Sequence, residues 1–456
     1  MIIYKFLGVI TAGLRFFSFF LFFPLLIVVA DQTFAGSVYV IDNGGEVYVV
    51  DTTSNAVTAT VSTTGFAPFD APAGIAITPN GTTAYVSDQG NGTVYVIDTT
   101  SHAVIATVST GGFPAFTAPD QVAITPDGKF VYVTTDDTIV YVISTTTNAV
   151  TTLVSGASPD FVSTTGVAVT PDGTMAYITD RGSHAVYAFD TTSNVVTATV
   201  STTDFPDFSR PVRVAITPDG ATAYVTDQDN GVFAIDTASN AVIATVSTTG
   251  FASFIDPIGI TITPDGDVSY VADLLTSTVY VISTSTNAVT ATVANSFIAF
   301  ALPVGVGTTS DGAILYATDE SNATVYAINT TTNVVTAVVS NTFTPFIAPY
   351  EVAAIPSAIP PAPIPLAPKN FRGFQRRITF ITQYEIFNRL TWEANPSAAV
   401  VVGYFIYRDN VKIATLNSST FEYEDHNRVK GVPTIYSITA FDGSGNQSLP
   451  STVRIN

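Results

Sequence analysis

The chain has 456 residues, enough for more than one domain and a large core. It has no cysteine and three histidines, which excludes disulfide scaffolds and Cys/His zinc sites and weakens any catalytic scheme that needs a histidine base. Residues 37–356 carry 28 acidic and 4 basic side chains, whereas residues 357–456 carry 10 basic and 7 acidic ones. An acidic body repels phosphate backbones, which argues against nucleic acid as a partner and favours cations or basic surfaces.

The first 35 residues have the layout of an export signal. Lys5 and Arg15 precede an uncharged apolar run over residues 16–30, and cleavage is expected near Ala30 or Ala35. The alternative is an uncleaved anchor, although the run is shorter than the roughly 20 residues that a spanning helix needs. We expect residues 1–35 to be a signal peptide that directs the protein to the cell envelope, cell surface or extracellular space. The mature chain then has no membrane span unless the signal is an uncleaved anchor.

A sequence repeat fills residues 37–356. A Pro-Asp-Gly-type turn recurs every 45 to 47 residues, with its glycine at Gly81, Gly128, Gly173, Gly220, Gly266 and Gly312. Each unit holds four short runs rich in Val, Ile, Thr, Tyr and Phe, separated by turn residues and without a helical period. Four strands in a unit of this length are typical of a β-propeller blade.

The two ends of this array complement each other. Three strand-like runs (37–42, 46–51 and 56–62) precede the first full copy, and a single run (350–356) follows the last. Together with the six full copies they make seven blades. We predict an all-β fold with a seven-bladed propeller over residues 37–356, closed by pairing of its N-terminal and C-terminal strands, which leaves only short, protected sheet edges.

The repeat resembles a known family. Segments such as AITPDGATAYVTD (215–227) and VYVVDTTSNAVTATV (47–61) are similar to the YVTN-type (surface-layer, YncE-like) β-propeller repeat. Where that family has Asn after Tyr-Val-Thr, this chain mostly has Asp. The family is functionally broad, so the resemblance implies an exported interaction protein more than any one activity.

The remainder of the chain has a different composition. Residues 357–369 are proline-rich and predict an extended, semi-rigid linker. Residues 370–456 resemble a fibronectin type III-like (Ig-like) β-sandwich through LTWEANP, GYFIYRD and PTIYSITAFD. The resemblance implies that Trp392 is a core residue and that Tyr436 is a candidate tyrosine corner.

Two sets of repeated aspartates are candidates for chemistry. Those of the Pro-Asp-Gly turns, such as Asp219, suit a hairpin in which Asp caps its own backbone, so we expect only a structural role. Those of the YVTD motif end the second strand of a blade and lie on the rim that also carries the blade-to-blade crossovers. A ring of such carboxylates could bind Ca²⁺ or a cationic partner, or it could form further Asx turns. The set comprises Asp42, Asp88, Asp180, Asp227, Asp273 and Asp319.

The crossovers share a Phe-x-x-Phe pattern. Six of the seven have it, and the copy at 155–166 keeps only Phe161. An aromatic belt for a hydrophobic or glycan ligand is one interpretation. Packing between blades is the other, and we favour it because a feature repeated in nearly every blade is usually architectural.

One position breaks the repeat at the start of the innermost strand. Four copies have glycine there, whereas three have Gln121, Arg213 and Glu351. These residues should lie near the mouth of the central channel. We predict a polar site with the following members: Gln121, Arg213, Glu351, Asp120, Arg210 and Tyr350. Such a site could grip a carboxylate or a sugar-acid oxygen through arginine, or it could be a salt bridge that plugs the channel.

These patterns favour a non-enzymatic binding or display protein with the propeller as a rigid interaction scaffold. We assign no catalytic residue and expect no cofactor beyond a role for Ca²⁺, and the expected partner is a protein or glycan at the cell surface. One alternative is a propeller-type lyase or lactonase with its site at the channel mouth. Another is a structural surface-layer subunit, which requires lateral self-assembly. An enzyme needs a base and an orienting group aimed at one point, and the sequence offers one cluster without a histidine.

Overall fold

We analysed a computed structural model of the chain. It describes residues 36–156, 160–356, 368–380, 383–393, 401–409, 411–442, 448 and 450–456. Within these ranges the regular structure is β-strand and no helix occurs. None of the described segments forms a helix with the length and apolarity to cross a membrane. The predicted signal peptide (1–35) and most of the predicted linker (357–367) lie outside the described residues.

The predicted seven-bladed propeller is confirmed as seven antiparallel four-stranded sheets. In chain order, the strands of the first three blades are β1 (Ser37–Asp42), β2 (Glu46–Asp51), β3 (Ala56–Thr60), β4 (Pro72–Ile77), β5 (Thr83–Asp88), β6 (Thr93–Asp98), β7 (Ala103–Thr107), β8 (Pro119–Ile124), β9 (Phe130–Thr135), β10 (Val140–Ser144) and β11 (Ala149–Leu153). Blades 4 and 5 consist of β12 (Thr164–Val169), β13 (Met175–Asp180), β14 (Ala185–Asp190), β15 (Val195–Thr199), β16 (Pro211–Ile216), β17 (Thr222–Asp227), β18 (Gly231–Asp236) and β19 (Ala241–Thr245). Blades 6 and 7 consist of β20 (Pro257–Ile262), β21 (Val268–Asp273), β22 (Thr278–Ser283), β23 (Ala288–Thr292), β24 (Pro303–Thr308), β25 (Ile314–Asp319), β26 (Thr324–Asn329) and β27 (Val334–Val338), and β28 (Pro349–Ala354) follows.

The last propeller strand completes the first blade. Strand β28 pairs antiparallel with β1, with Val352 opposite Val40 and Glu351 opposite Ile41, which gives the sheet order β28-β1-β2-β3. This is the closure that the strand count predicted. It makes β28 the innermost strand of blade 1.

The core lies between the blades. The second and third strands are buried on both faces because neighbouring blades cover each side, so their apolar runs are nearly continuous. A tyrosine in the second strand reaches across to an asparagine of the next blade, as in Tyr177–Asn240 (2.6 Å) and Tyr270–Asn333 (2.7 Å). These asparagines have φ near +50°, which asparagine tolerates better than most residues.

The outer edges of the blades are covered by a second repeated device. The second residue after each outer strand forms a parallel bridge to the outer strand of the neighbouring blade, from Ser62–Ala103 around the ring to Ser340–Ala56. Seven such bridges occur among the described residues. Part of every edge strand is therefore paired, which limits the risk of edge-to-edge aggregation.

The C-terminal region forms a β-sandwich-like arrangement of a three-stranded and a four-stranded sheet. The three-stranded sheet has the order β29-β30-β33, and the other has the order β32-β31-β34-β35. The strands are β29 (Arg372–Phe380), β30 (Gln383–Thr391), β31 (Val401–Arg408), β32 (Val411–Asn417), β33 (Glu422–Asp425), β34 (Thr434–Asp442) and β35 (Ser451–Ile455).

The core of this region contains Trp392, Tyr404 and Tyr436, all buried, as expected for Trp392. The Tyr436 hydroxyl donates to the carboxylate of Asp425 at 2.5 Å, and it accepts a hydrogen bond from the side chain of Asn388 at 3.0 Å. Its partners are thus side chains rather than the backbone partner of a tyrosine corner.

Candidate functional site

The channel mouth is built by a bulge at the start of the innermost strands. The pairing register shifts between Pro119 and Val122 in β8 and at equivalent places in the other full repeats. The extra residue re-aims the side chains of the bulge, as bulges next to functional sites often do. In blade 3 the two residues between Pro119 and Val122 are Asp120 and Gln121.

The bulge is held by a hydroxyl that the sequence interpretation did not single out. The Thr before the YVTD aspartate accepts the bulged N–H, as Thr134 does from Gln121 (3.1 Å). The same hydroxyl donates to the innermost strand of the next blade, as in Thr134 to the Thr165 carbonyl (2.7 Å) and Thr318 to the Tyr350 carbonyl (3.0 Å). The recurrent Ser or Thr before the aspartate was the available signal. This hydroxyl links neighbouring innermost strands from blades 2, 3, 4, 5 and 7, whereas blades 1 and 6 have Ile41 and Ala272 at its position.

At the position where Gln121, Arg213 and Glu351 break the repeat, the other four copies have glycine. The reason is the close approach of the next innermost strand. A Cβ on Gly166 would come within 2.7 Å of the Val212 carbonyl oxygen and 3.0 Å of the Arg213 Cα. On Gly305 it would come within 3.0 Å of the Glu351 Cα. The glycine copies thus make room for their neighbours, and Gln121, Arg213 and Glu351 occupy blades 3, 5 and 1 of the ring.

Arg213 of β16 is paired with Asp120 of β8. The Arg213 Nη2 lies 3.2 Å from Asp120 Oδ1 and its Nη1 lies 3.3 Å from Oδ2, so the contact is bidentate. Both side chains are only 10% exposed. The Arg213 Nη2 also lies 3.5 Å from the Tyr350 hydroxyl. Two blades that are not neighbours in the ring are therefore joined across the channel by a buried ion pair.

A second contact joins blades 3 and 1. The Gln121 side-chain amide donates to Glu351 Oε2 at 3.0 Å, and the Val352 N–H lies 3.3 Å from Oε1. Burial raises the pKa of the Glu351 carboxyl, and Asp120 adds to the rise, whereas Arg213 and these hydrogen bonds lower it. The net direction is upward, so the charged form of Glu351 is less favourable than that of an exposed carboxyl.

Arg213 itself is held in its charged form. Burial acts to lower the pKa of its guanidinium, but Asp120, Tyr350 and Glu351 together raise it above the usual value. Burial also raises the pKa of the Tyr350 phenol, against the opposing effect of Arg213. The cluster therefore combines the charged guanidinium of Arg213, the carboxylate of Asp120 that pairs with it, and Glu351, whose charged form is disfavoured.

The structure brings together five of the six predicted channel-mouth residues and separates Arg210 from them. The Arg210 guanidinium binds Asp229 through Nε and Nη2, each at 2.9 Å, on the exposed crossover rim. Asp229 belongs to the turn that follows β17 in the same blade. Arg210 is therefore a rim residue rather than a lining residue of the channel mouth.

The YVTD aspartates lie on the crossover rim but point inward. Asp227 is buried and accepts hydrogen bonds from the N–H groups of Ser209 (2.7 Å), Arg210 (3.1 Å), Asp229 (3.1 Å) and Asn230 (3.1 Å). Asp42, Asp88, Asp180, Asp273 and Asp319 likewise bind crossover N–H groups. The bonds from Asp229 and Asn230 fit the expected Asx turn, and those from Ser209 and Arg210 add a contact to the crossover. In the described part of the chain, no group of three or more acidic or histidine side chains is arranged to hold a metal ion.

The crossover phenylalanines divide into two groups. The second of each pair is buried or half-buried and packs edge-on against an aromatic ring of the third strand, as in Phe208–Phe233 (4.8 Å between centroids) and Phe346–Tyr48 (4.9 Å). This is the predicted packing role. The first of each pair is half-buried in the crossovers that enter blades 2, 3 and 5. In the crossovers that enter blades 6, 7 and 1 it is exposed: Phe251, Phe297 and Phe343.

We compared the chain with protein families and with curated proteins. The family model described as lactonase, 7-bladed beta-propeller, matches residues 165–347, which is less than half of the chain. The matched region contains Arg213 but neither the residues of β8 nor those of β28 that complete the cluster. No curated protein matches the chain.

Among solved structures, the chain is similar to hydrazine synthase of Kuenenia stuttgartiensis. The similarity has 19% identity and a TM-score of 0.51, and it covers 61% of this chain and 88% of that one. At this level of identity the similarity shows the propeller fold alone. Many unrelated activities use the same fold, so the function has to be argued from the site.

Proposed function

We propose that this chain is a non-enzymatic binding protein whose propeller is a rigid interaction scaffold. The observation that carries the proposal is the mutual pairing at the channel mouth. Arg213 binds Asp120, and Gln121 binds Glu351, so the polar groups satisfy one another. A catalytic site needs a base and an electrophilic group aimed at an open point between them. The cluster instead ties three blades together, and binding is left to the surfaces of the disc.

A binding panel tests this proposal directly. Residues Phe34–Asn456 form one compact unit, so this unit can be immobilised and exposed to glycan and peptide arrays. We expect binding that survives Glu351→Gln, because that change keeps the hydrogen-bond geometry with Gln121. Failure to bind any member of either array would count against the scaffold role, and loss of binding in Glu351→Gln would move the binding site to the channel mouth.

A lactonase is the second candidate, favoured by the family match over blades 4–7. In this case the buried Glu351 is the acid–base group and Arg213 the group that polarises a carbonyl oxygen. The raised pKa of Glu351 suits acid–base chemistry near neutral pH better than an ordinary carboxyl does. The assay is titration of the acid released from a panel of lactones.

The lactone assay separates the two candidates. A kcat/KM above about 10⁴ M⁻¹ s⁻¹ for any lactone, lost in Glu351→Gln, would replace the scaffold proposal with catalysis. We expect no hydrolysis above the uncatalysed rate. The control is Ile243→Ser, a change at an exposed position of β19, the outermost strand of blade 5.

Calcium binding on the crossover rim remains a proposal with a separate test. Its support is the net acidity of the propeller and the ring of YVTD carboxylates. Their hydrogen bonds to crossover N–H groups compete with a cation for the same oxygens. Calorimetric titration of Ca²⁺, with and without Asp180→Asn, decides the matter: no heat and no shift in the unfolding temperature would remove calcium from the proposal.

Export and the two domain assignments belong to the same proposal. N-terminal sequencing of the protein from the envelope or the medium should find a new terminus at Asp31 or Gly36. An intact Met1 in the membrane fraction would indicate an anchor. The three-plus-four strand arrangement supports a fibronectin type III-like domain over residues 370–456, and the YVTD repeats support a YVTN-type propeller over 37–356, with residues 357–369 as linker.

A further inference from the structure

One part of the crossover rim is apolar and exposed. Six large apolar side chains, each at least 50% exposed, lie on consecutive crossovers and turns of blades 6, 7 and 1: Ile255, Leu275, Phe297, Ile298, Phe343 and Ile347. We call this set the apolar sector. Elsewhere on the rim the repeat position of Ile255 and Ile347 holds Asp70, Thr117 or Ser209, and in blade 4 it holds the exposed Val162, whose crossover has no second exposed phenylalanine or isoleucine. A concentration of exposed apolar groups within one part of a repeat ring marks an interaction surface better than scattered single residues do.

The charges around the apolar sector have a single sign. Residues 214–356 contain no lysine, arginine or histidine, and neither does blade 1 over residues 37–62. Glu46 at the start of β2, Asp256 in the crossover before β20 and Glu320 in the turn after β25 lie on the same rim. A partner surface that suits this sector therefore combines apolar side chains with unpaired cations.

The C-terminal sandwich carries such a surface on β29. Arg372, Phe374, Arg376 and Ile378 alternate along this strand, so they share one face, and all four are exposed. We call this set the β29 strip. The Arg376 guanidinium lies 4.6 Å from the centre of the Phe374 ring. Within the described residues, neither Arg372 nor Arg376 forms an ion pair, in contrast to Arg389 on the neighbouring strand, which binds Glu422.

Both surfaces are uncovered within one copy of the chain. Among the described residues, no hydrogen bond or ion pair links the propeller to the sandwich. One surface is apolar and acidic, and the other is apolar and basic. They are complementary in the two respects that select a protein partner: apolar area that leaves water, and opposite charge around it.

We propose that the apolar sector of one copy binds the β29 strip of a second copy. The two surfaces lie on different parts of the chain, so the contact is head-to-tail, and each copy that joins uses one surface and still offers the other. A contact of this type extends into a filament or closes into a ring. The assembly does not involve the channel mouth, so it is independent of whether the propeller also binds a ligand or a lactone there.

Two double variants and their mixture test the contact. Phe297→Glu with Ile347→Glu disables the apolar sector, and Arg372→Glu with Arg376→Glu disables the β29 strip. All four positions are exposed, so the fold should persist. The matched control is Ile105→Glu with Ile243→Glu, which places the same charges on exposed outer strands. The measurement is the molar mass of the Phe34–Asn456 unit by light scattering up to about 0.1 mM, a range that detects dissociation constants of that order.

The expected results form a definite pattern. The unchanged protein and the control show a mass that rises with concentration and falls with added salt, because the contact has an ionic component. Each double variant is a monomer. A one-to-one mixture of the two variants forms a dimer and nothing larger, since only one intact pair of surfaces remains. A monomeric unchanged protein, a contact within one copy, or a mixture that stays monomeric would overturn the proposal.

Discussion

The two rims of the propeller use the same residue type in opposite ways. On the turn rim, Asp219 is exposed and binds groups at most two residues away: the Thr217 hydroxyl and the Ala221 N–H. On the crossover rim, Asp227 is buried and binds N–H groups on two separate segments. In Asp42 the equivalent bonds reach Ile347 and Ala348, at the far end of the propeller sequence. One rim is a set of local turns, and the other holds the ring together.

This difference explains why the buried aspartates of the propeller lie on the crossover rim. Local turns need only an exposed cap, and hydrogen bonds from Thr170 and Thr217 lower the pKa of Asp172 and Asp219 there. The crossover rim has to satisfy backbone groups that leave regular strands between blades, which requires buried acceptors. The channel-mouth ion pair belongs to the same rim. Substitutions on the crossover rim should therefore lower the free energy of unfolding more than substitutions on the turn rim.

The largest loss of stability is expected at the channel mouth. Arg213→Ala leaves the buried Asp120 carboxylate without its cation and should lower the free energy of unfolding by about 3–5 kcal/mol. The double change Arg213→Leu with Asp120→Leu removes both charges and should cost much less. Denaturant titration measures both. Equal losses in the single and double variants would show that the pairing is not what matters at this position.

The next effect is expected at Asp227. Asp227→Ala removes the acceptor of four backbone N–H groups on the crossover rim and should cost about 3 kcal/mol. Asp227→Asn retains one oxygen and should cost about half as much. Blade 3 has Thr135 at this position, so Thr135→Ala serves as the mild control, measured by the same titration. An Asp227→Ala variant as stable as the Thr135→Ala one would remove the distinction between a rim clamp and an ordinary turn.

A smaller effect is expected on the turn rim. Asp219→Ala removes a local cap, but water can replace the lost bonds because the site is exposed, so about 1 kcal/mol is expected. The unfolding temperature of this variant should lie clearly above that of Asp227→Ala. If the order is reversed, the comparison of the two rims is wrong.

The smallest effect is a pH dependence that comes from one histidine. In blade 2, His102 replaces the asparagine of the blade-to-blade contact, and its Nδ1 lies 2.8 Å from the Tyr39 hydroxyl. Burial lowers the pKa of His102 below its usual 6.5, although Asp98 acts to raise it. The folded state prefers the neutral ring of His102. The contribution of this preference to the free energy of unfolding is therefore complete above pH 6.5, and it is lost as the pH falls through the lower pKa of the folded state.

The variant His102→Asn restores the contact found in the other blades and isolates this contribution. The difference in unfolding temperature between the two proteins, measured from pH 7.5 to pH 4.5, should grow in favour of His102→Asn as the pH falls. Parallel curves would show that His102 makes no such contribution.

Much of the fold could be predicted from the sequence, because every blade repeats the same four-strand pattern. The glycine spacing gave the blade length, and the unmatched strands at the two ends gave the closure of β28 on β1. The bulge that opens the innermost strands could not be predicted, because one interruption of the side-chain alternation does not stand out in a strand of six mostly apolar residues. The Thr134-type contact depends on that bulge and was missed for the same reason.

The break in the repeat indicated residues that contact one another in the structure. Gln121, Arg213 and Glu351 stood out because glycine is required in the other copies by the close approach of the next strand. Arg210 was placed with them by sequence proximity, but three extended residues span up to about 10 Å, enough to carry it to Asp229 on the rim. The apolar sector was not foreseen, since Phe66 and Phe297 occupy the same place in the pattern and differ only in what packs on them.

The closure of β28 on β1 also sets an order of events during synthesis. Blade 1 has three strands from the moment Thr60 leaves the ribosome, and it gains its fourth only when Ala354 has been made. Until then one side of β1 is an open edge, and such edges make growing chains prone to misassembly. A chain that stops before Pro349 can form six complete blades but not the ring. Closure of the ring therefore waits until β28 has been made.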